Sequence, residues 1–386
     1  MPKHLTVLLG AGFSANAGMP TAWNIAEKFN RDLKDKLLSF SSGEWVWADD
    51  KPEADLWNGR LNFDYLAYSY VFDEFVKSYV SDRGEFVYYE DFYQYIIDRY
   101  KDLEWVEDLF EKAKTSLTKD RPYLLEGESY SKNYLFAFEK KQFQKVNEII
   151  NYLIWDILRI IPRTDDELVA IYKNFISYLR IFDEVDIFTL NHDLLLERLL
   201  SINEMQFSKG FNQESSPIHY EGVPVPFFDN EFKKPIRIYK LHGSLDFYQF
   251  RHHKKEGAIW IPTDESDYFL TLDYYVKHKS VLVDPQTGEV IQDYNFDVVP
   301  KFITGTDKTQ IIRNDRLFSA LFDTLEKVMS TSENIFVSGY SFSDEHINDF
   351  LKAKKYNYIN HNRSKEYPYE GIGENIKSLD ELYQNF

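Results

Sequence analysis

The chain contains no cysteine. Disulfides, cysteine-ligated zinc and thiol nucleophiles are excluded together. No apolar run approaches the ~18 residues of a membrane-crossing helix. The opening, MPKHLTVLLGAG, is expected not to be a secretory leader, because its apolar run is short and enters a glycine turn. Positive charge is scarce: 45 Lys and Arg stand against 63 Asp and Glu, for a formal net charge of −18. Phosphate repels such a chain, so direct nucleic-acid binding is not expected. The basic runs Lys352–Lys355 and Arg251–Lys255 read as solvated faces. There is no internal repeat or low-complexity tract. A cytoplasmic location is the expectation.

What is abundant is aromatic, with 28 Tyr and 31 Phe in 386 residues. These are expected to fill cores and an oligomer interface. The length calls for one large domain with an insertion, or for two domains.

The stretch Leu5–Thr21 carries the sharpest local signal. Leu5, Val7, Leu8 and Leu9 read as a buried strand running into Gly10-Ala11-Gly12-Phe13-Ser14-Ala15. Gly10, Gly12 and Ala15 fit G-x-G-x-x-G/A. That pattern allows a tight turn, close approach of a pyrophosphate and close helix packing, with helix N–H groups facing phosphate. The same pattern also serves as a plain structural turn. A ribose-binding acid is expected about 20 residues on. Glu27 and Asp32, however, fall in what reads as a continuing helix with Ala26, Phe29, Leu33 and Leu37 on one face.

Ser41–Gly59, with Trp45, Trp47 and Trp57, reads as a loop. Residues 62–180 read as mostly helical. Phe143, Val146, Ile150, Leu153 and Ile157 form one face, and Thr164-Asp165-Asp166-Glu167 is a capping box opening another helix. Strand character returns at Val185–Leu190, Ile236–Leu241, Ala258–Pro262, a hairpin within Ser280–Asp293, Val298–Ile303 and Asn334–Ser338. Leu317, Leu321, Leu325 and Val328 form a helix face. Beyond Lys352 the chain is polar, with no sharp motif.

Apolar strands thus end in polar turns after Leu9, Leu190, Leu241 and Ser338. In an open α/β sheet, such turns converge on one crevice beyond the carboxyl ends of the strands.

The turns are Gly10–Ser14 with Ala17-Gly18-Met19-Pro20, Asn191-His192-Asp193, Leu241-His242-Gly243 and Gly339-Tyr340-Ser341-Phe342-Ser343-Asp344-Glu345-His346-Ile347-Asn348. In this order they resemble the sirtuin (SIR2) superfamily. They are most similar to SIR2-like domains of bacterial antiphage systems, and in length the chain resembles the SIR2 subunit that assembles with a HerA-type ATPase. Deacetylases of the superfamily usually carry a four-cysteine zinc module and a G-I-P-D-F-R segment. This chain has no cysteine, and Gly18-Met19-Pro20-Thr21-Ala22-Trp23 lacks the Asp, Phe and Arg.

The resemblance implies an α/β fold: a Rossmann-like parallel sheet of sirtuin type, formed by residues 1–40 and 181–386; the mostly helical span 41–180, read from its periodicity and not covered by the resemblance, is expected as an insertion or small domain. It implies NAD⁺ as substrate, hydrolysed to nicotinamide and ADP-ribose, with no zinc. The expected partners are a HerA-type ATPase and further copies of the chain, with no membrane. Gly10, Ala11, Gly12, Phe13, Ser14, Gly18, Pro20, Asp193, Gly339, Tyr340 and Ser341 are expected around the nucleotide.

Breaking the nicotinamide–ribose bond builds oxocarbenium-like charge on the ribose and expels a group that is already cationic. The site needs an oriented water and a base more than a strong acid. His242 suits the base near pH 7, and Asn191 suits the orientation of water or a ribose hydroxyl. Both also suit plain turn positions. Asp193 fits either a helix cap or the site, and His192 is expected to point away. Asp344 reads as structural, while His346 and Asn348 stay open. A metal site of His242, His346 and Asp193 lacks local ligand spacing and is disfavoured. Gly12→Val is expected to weaken NAD binding by blocking the pyrophosphate.

Overall fold

The computed structural model describes residues 3–30, 33, 36–39, 44–48, 66–84, 89–99, 101–120, 143–295, 298–303 and 308–384. The chain forms two compact units. One comprises Met1–Met19, Ile161–Ile303 and Thr309–Phe386; the other comprises Pro20–Ile160 and Thr304–Lys308.

The first unit is built on a seven-stranded parallel sheet. We number its strands in chain order: β1 His4–Leu9, β2 Glu184–Thr189, β3 Phe207–Ser208, β4 Ile236–Lys240, β5 Asn334–Ser338, β6 Tyr356–His361 and β7 Gly371–Ile376. Their spatial order is β7-β6-β5-β1-β2-β4-β3. The fold is therefore α/β and Rossmann-like, as expected. The chain leaves β1 toward β2 and later returns to its other side with β5. That makes β1 the topological switch point, where open sheets of this kind bind ligands.

Register brings the strand ends level. Leu9 pairs with Thr189 and Ser338, Thr189 with Lys240, and Ser338 with His361. Gly10, Leu190, Leu241, Gly339 and Asn362 therefore form the next row along the carboxyl edge. The strands hold Leu5, Val7, Ile187, Ile238 and Phe336 essentially dry, which explains their apolar-rich sequences.

The capping box at Thr164 is present, and Thr164 Oγ1 accepts from Glu167 N–H. It opens the helix Asp165–Leu179, which the sequence assigned to the insertion. In the structure this helix lies in the unit with the sheet. Tyr172 and Phe175 pack on Phe13, and Phe175 also packs on Phe336.

Three stretches differ from expectation or extend it. The expected strand Ala258–Pro262 belongs to a long antiparallel hairpin, Gly243–Glu256 with Ile259–Leu270. The hairpin Val281–Val283 with Val290–Gln292 is present. Beyond Lys352, where no motif was legible, lie β6 and β7.

In the second unit the helix after Thr21 stops at Phe29, and Leu37–Ser39 pairs with Trp45–Trp47 as a small hairpin. Trp45 and Trp47 are thus strand residues; Trp57 and Asp32 lie outside the described residues. Aromatic rings fill this unit. Phe29 packs on Trp47, Phe72 and Phe92, and Tyr79 packs on Phe92 and Tyr95. Buried Asp156 accepts the N–H of Trp47. Helices Leu66–Arg83, Tyr89–Arg99, Leu103–Asp120 and Phe143–Leu158 supply the remainder. Among the described residues no helix is long and apolar enough to cross a membrane.

Candidate functional site

The glycine turn packs against the turn after β5. Gly10 N–H donates to Ser338 O, and Gly12 N–H donates to Gly339 O, both at 2.9 Å. Phe13 N–H donates to Gly10 O at 3.0 Å. A Cβ on Gly12 would lie 2.7 Å from Gly339 Cα, and one on Gly10 would lie 2.7 Å from Gly339 O. Gly339 has φ +63°, and a side chain there would fall inside the backbone of Gly12 and Phe13. These glycines let two loops of the protein touch, and their N–H groups are spent on protein carbonyls. Glycine at these positions thus has a packing role in the fold itself.

The other expected nucleotide contacts divide. Phe13 is 1% exposed, and its ring sits in the core with Tyr172. The Tyr340 ring is also buried; its hydroxyl donates to Asn348 Oδ1 at 3.0 Å and to Asp344 O at 3.1 Å. Asn348 in turn donates to Phe342 O at 3.0 Å, pinning a residue with φ +55°. Asn348 is therefore a brace for this loop. Ala11 and Gly18 are exposed, and Gly18 adopts φ +79° beside Pro162. Pro20 falls in the other compact unit.

A cavity of about 210 Å³ opens at the switch point. Gly12 and Ala15 line it after β1, Gly339 and Ser341 after β5, and Arg363 and Lys365 after β6. Arg363 is anchored on Asn16 Oδ1 at 2.9 Å, and Lys365 on Ser341 O at 2.8 Å. These two cations were missed in the sequence. The available signal was the pair Arg363-x-Lys365, a local excess of positive charge in an acidic chain. His361, on the cavity wall, bonds Ser338 Oγ through Nδ1 at 2.7 Å. Burial, helped by Arg363, lowers its pKa to about 4, so its ring is neutral at pH 7.

Asn191 and His242 follow the adjacent strands β2 and β4, each two residues past the paired Thr189 and Lys240. Both Asn191 amide hydrogens are committed: Nδ2 donates to Gly10 O and to Ser14 Oγ, each at 3.0 Å. Among the described residues no group bonds Oδ1, which is left as an acceptor on a half-buried side chain. Ser14 also bonds Asp193, which is fully buried. Asp193 Oδ1 accepts Leu195 N–H at 3.0 Å ahead of the helix Leu195–Ile202. Burial pushes the Asp193 carboxyl up, against the pull of Lys240, the Leu195 N–H and Ser14. The N-cap position of that helix is Leu194, with no side-chain cap, so Asp193 holds the first helical N–H from one residue further out and also holds Ser14.

Behind Asp193 the charges are paired. Lys209 reaches Asp246 at 2.6 Å and Glu197 at 3.1 Å, and Lys240 reaches Glu197 at 3.5 Å. Burial raises Glu197, but Lys240 and Lys209 outweigh it and hold its carboxyl below the ordinary value.

His242 is 4% exposed, and its Nε2 lies 3.3 Å from Nε2 of the partly buried His346. His192 is buried against Phe302 and points its Nδ1 at Gly243 O, 3.4 Å away.

A family model described as SIR2-like domain matches residues 185–369, just under half of the chain. The match supports the SIR2-like superfamily, whose domains use NAD and are associated with NAD-dependent enzymes. It spans Asn191, His242, Gly339–Ser341 and the Arg363/Lys365 pair, and starts after the glycine turn. No curated protein matches the chain.

Proposed function

We propose that this protein hydrolyses NAD⁺ at the nicotinamide–ribose bond, releasing nicotinamide and ADP-ribose. The observation that carries this reading is the fixed Asn191 amide. With both hydrogens held by Gly10 and Ser14, it offers one carbonyl oxygen beyond the carboxyl edge of the sheet. That oxygen can accept from a ribose hydroxyl or from the attacking water.

The chemistry follows from the groups present. The C1′–N bond breaks and its electron pair leaves with nicotinamide, which becomes neutral. Water adds to the oxocarbenium-like carbon and loses its proton to His242. The partly exposed His346 is the next imidazole along, a route from buried His242 toward solvent. Arg363 and Lys365 face the pyrophosphate charge. The absence of cysteine and of the Asp, Phe and Arg of the deacetylase segment favours hydrolysis over acyl transfer to a peptide.

On the ground of the resemblance alone, we place the reaction in antiphage defence, where NAD depletion aborts infection. There the cytoplasmic chain acts as a homo-oligomer with a HerA-type ATPase.

Chromatography of NAD⁺ products, with and without such an ATPase, tests the reading. Asn191→Ala and His242→Ala should each lower nicotinamide release by about 10²–10⁴-fold with the fold intact by circular dichroism. Undiminished turnover in both variants would sink it, as would nicotinamide release that requires an acyl-lysine peptide.

A further inference from the structure

Besides its place beside Asn191, His242 belongs to a second constellation. The turn after β4 supplies His242, and the turn after β5 supplies Asp344 and His346, two residues apart at the start of the helix Glu345–Lys352. One ligand atom from each of the three lies within 4.8 Å of the other two. On sequence alone a metal here is disfavoured, with Asp193 as the carboxylate; the fold brings up Asp344 instead.

The spacing of the two imidazoles is informative. Zinc–nitrogen bonds of about 2.0–2.1 Å in a tetrahedron place neighbouring ligand atoms about 3.3–3.4 Å apart. The Nε2 atoms of His242 and His346 are 3.3 Å apart. Asp344 occupies the N-cap position, yet its carboxylate makes no capping bond. Its backbone holds the turn instead: Asp344 O accepts from Ile347 N–H, Asn348 N–H and the Tyr340 hydroxyl. The frame around the three ligands is fixed, with His346 against Phe322 and His242 buried.

We propose that His242 Nε2, His346 Nε2 and an Asp344 carboxylate oxygen bind one zinc-class divalent ion. Two imidazoles and a carboxylate suit zinc better than magnesium or calcium, which prefer all-oxygen sets. One consequence rests on the proposed hydrolysis. The ion occupies the lone pair with which His242 would take a proton, so zinc and catalysis exclude one another, and zinc inhibits the enzyme.

The test uses the full chain without a histidine tag. Zinc sulfate is titrated against a chromophoric chelator, and cobalt absorption is recorded in parallel. The wild type should take up one equivalent and give the intense visible bands of tetrahedral cobalt. His346→Ala and Asp344→Ala should each weaken zinc by about tenfold or more, with loss of those bands. His253→Ala, on the long hairpin, should leave both readings unchanged. Asp344→Asn is the second variant should one of these not fold. Absence of zinc uptake in the wild type, or unaltered uptake in both site variants, overturns the site and leaves the two rings as a hydrogen-bonded pair. In the NAD⁺ assay, the zinc concentration halving each protein's own rate should rise in step with the weakened binding. Zinc uptake without any hydrolysis would overturn the proposed function and keep the site; hydrolysis indifferent to zinc in a zinc-binding chain would overturn the inhibition.

Discussion

Gly12 and Gly339 separate two roles for the glycine turn, as a cradle for pyrophosphate or as a lock between loops. In the first, a side chain at Gly12 weakens NAD binding and leaves the ligand-free protein as stable as before. In the second, the damage is present without any ligand. A Cβ on Gly12 meets Gly339 Cα at 2.7 Å and Gly339 O at 3.0 Å, and both are backbone atoms that no rotamer change can move. Overpacking of this kind costs about 1–3 kcal/mol. Alanine's better helix propensity offsets roughly 0.5–1 kcal/mol of that in the helix Ala11–Ala15. Gly339→Ala adds a backbone term, because at φ +63° a Cβ carries a further cost of about 1–2 kcal/mol. Gly257 calibrates that term alone: it has φ +65°, and a Cβ there would meet nothing within 4 Å. Gly257→Ala should therefore lose about 1–2 kcal/mol, Gly12→Ala a similar amount, and Gly339→Ala about 3 kcal/mol or more. At about 2–4 °C per kcal/mol for a unit of this size, Gly339→Ala should melt some 6–12 °C below the wild type. The assay is thermal unfolding of the NAD-free chain by circular dichroism. Gly12→Ala and Gly339→Ala melting with the wild type while NAD binding falls would refute the lock.

The cavity yields two more expectations. His361 titrates normally when unfolded but at about 4 in the fold, so between pH 6.5 and 4 the unfolded chain binds the extra proton. The fold thus loses stability as pH falls through that window, by about 3 kcal/mol in all, and the loss is constant below it. Urea unfolding at several pH values should show His361→Asn flattening this part of the profile relative to wild type. Arg363→Ala and Lys365→Ala should each raise KM for NAD⁺ about tenfold, one charge-assisted contact apiece, and make KM less sensitive to salt. An unchanged KM in the double variant would remove the cavity from the NAD site.

The central strands were legible because sheets buried on both faces spell apolar-rich runs; β1 and β5 do so, while β2 and β4 keep theirs around Asp186 and Arg237. Their convergence was legible because each run ends in a polar turn that carries glycine or asparagine. β6 was not, since Tyr-Asn-Tyr-Ile-Asn-His spends its buried positions on polar groups. Asn360 reaches Asn375 and Lys365 O, and His361 reaches Ser338, so burial there is carried by hydrogen bonds that no hydropathy pattern announces. Missing β6 meant missing Arg363 and Lys365, which follow it. The packing role of the glycine turn was not legible for a related reason. Sequence shows that a backbone must be approached closely, and only the register of β1 on β5 shows that another loop makes the approach. The Asp344–His346–His242 cluster joins residues about a hundred positions apart, beyond any local spacing rule.

The route from Asp193 to Asn191 offers the finest test of how the site is held. Asp193 bonds Ser14, and Ser14 accepts the amide that orients Asn191. Burial raises the Asp193 carboxyl, so the surroundings want an acceptor there more than they want a charge. Asp193→Asn keeps an acceptor for Ser14 and for Leu195 N–H, and should change stability by less than about 1 kcal/mol. Asp193→Ala strands both buried donors and should cost about 1–3 kcal/mol for each. Ser14→Ala has a different signature. It deletes one of the two bonds that fix Asn191 and leaves the cavity lining untouched, so the amide can turn its oxygen away. A group that acts on the reacting ribose and little on substrate binding should then lower kcat by about tenfold or more with KM for NAD⁺ nearly unchanged. Ser14→Thr, which keeps the hydroxyl, should recover part of the rate. Full kcat in Ser14→Ala would mean that Gly10 O alone orients Asn191, and a rise in KM without loss of kcat would mean that Ser14 binds substrate instead of positioning its neighbour.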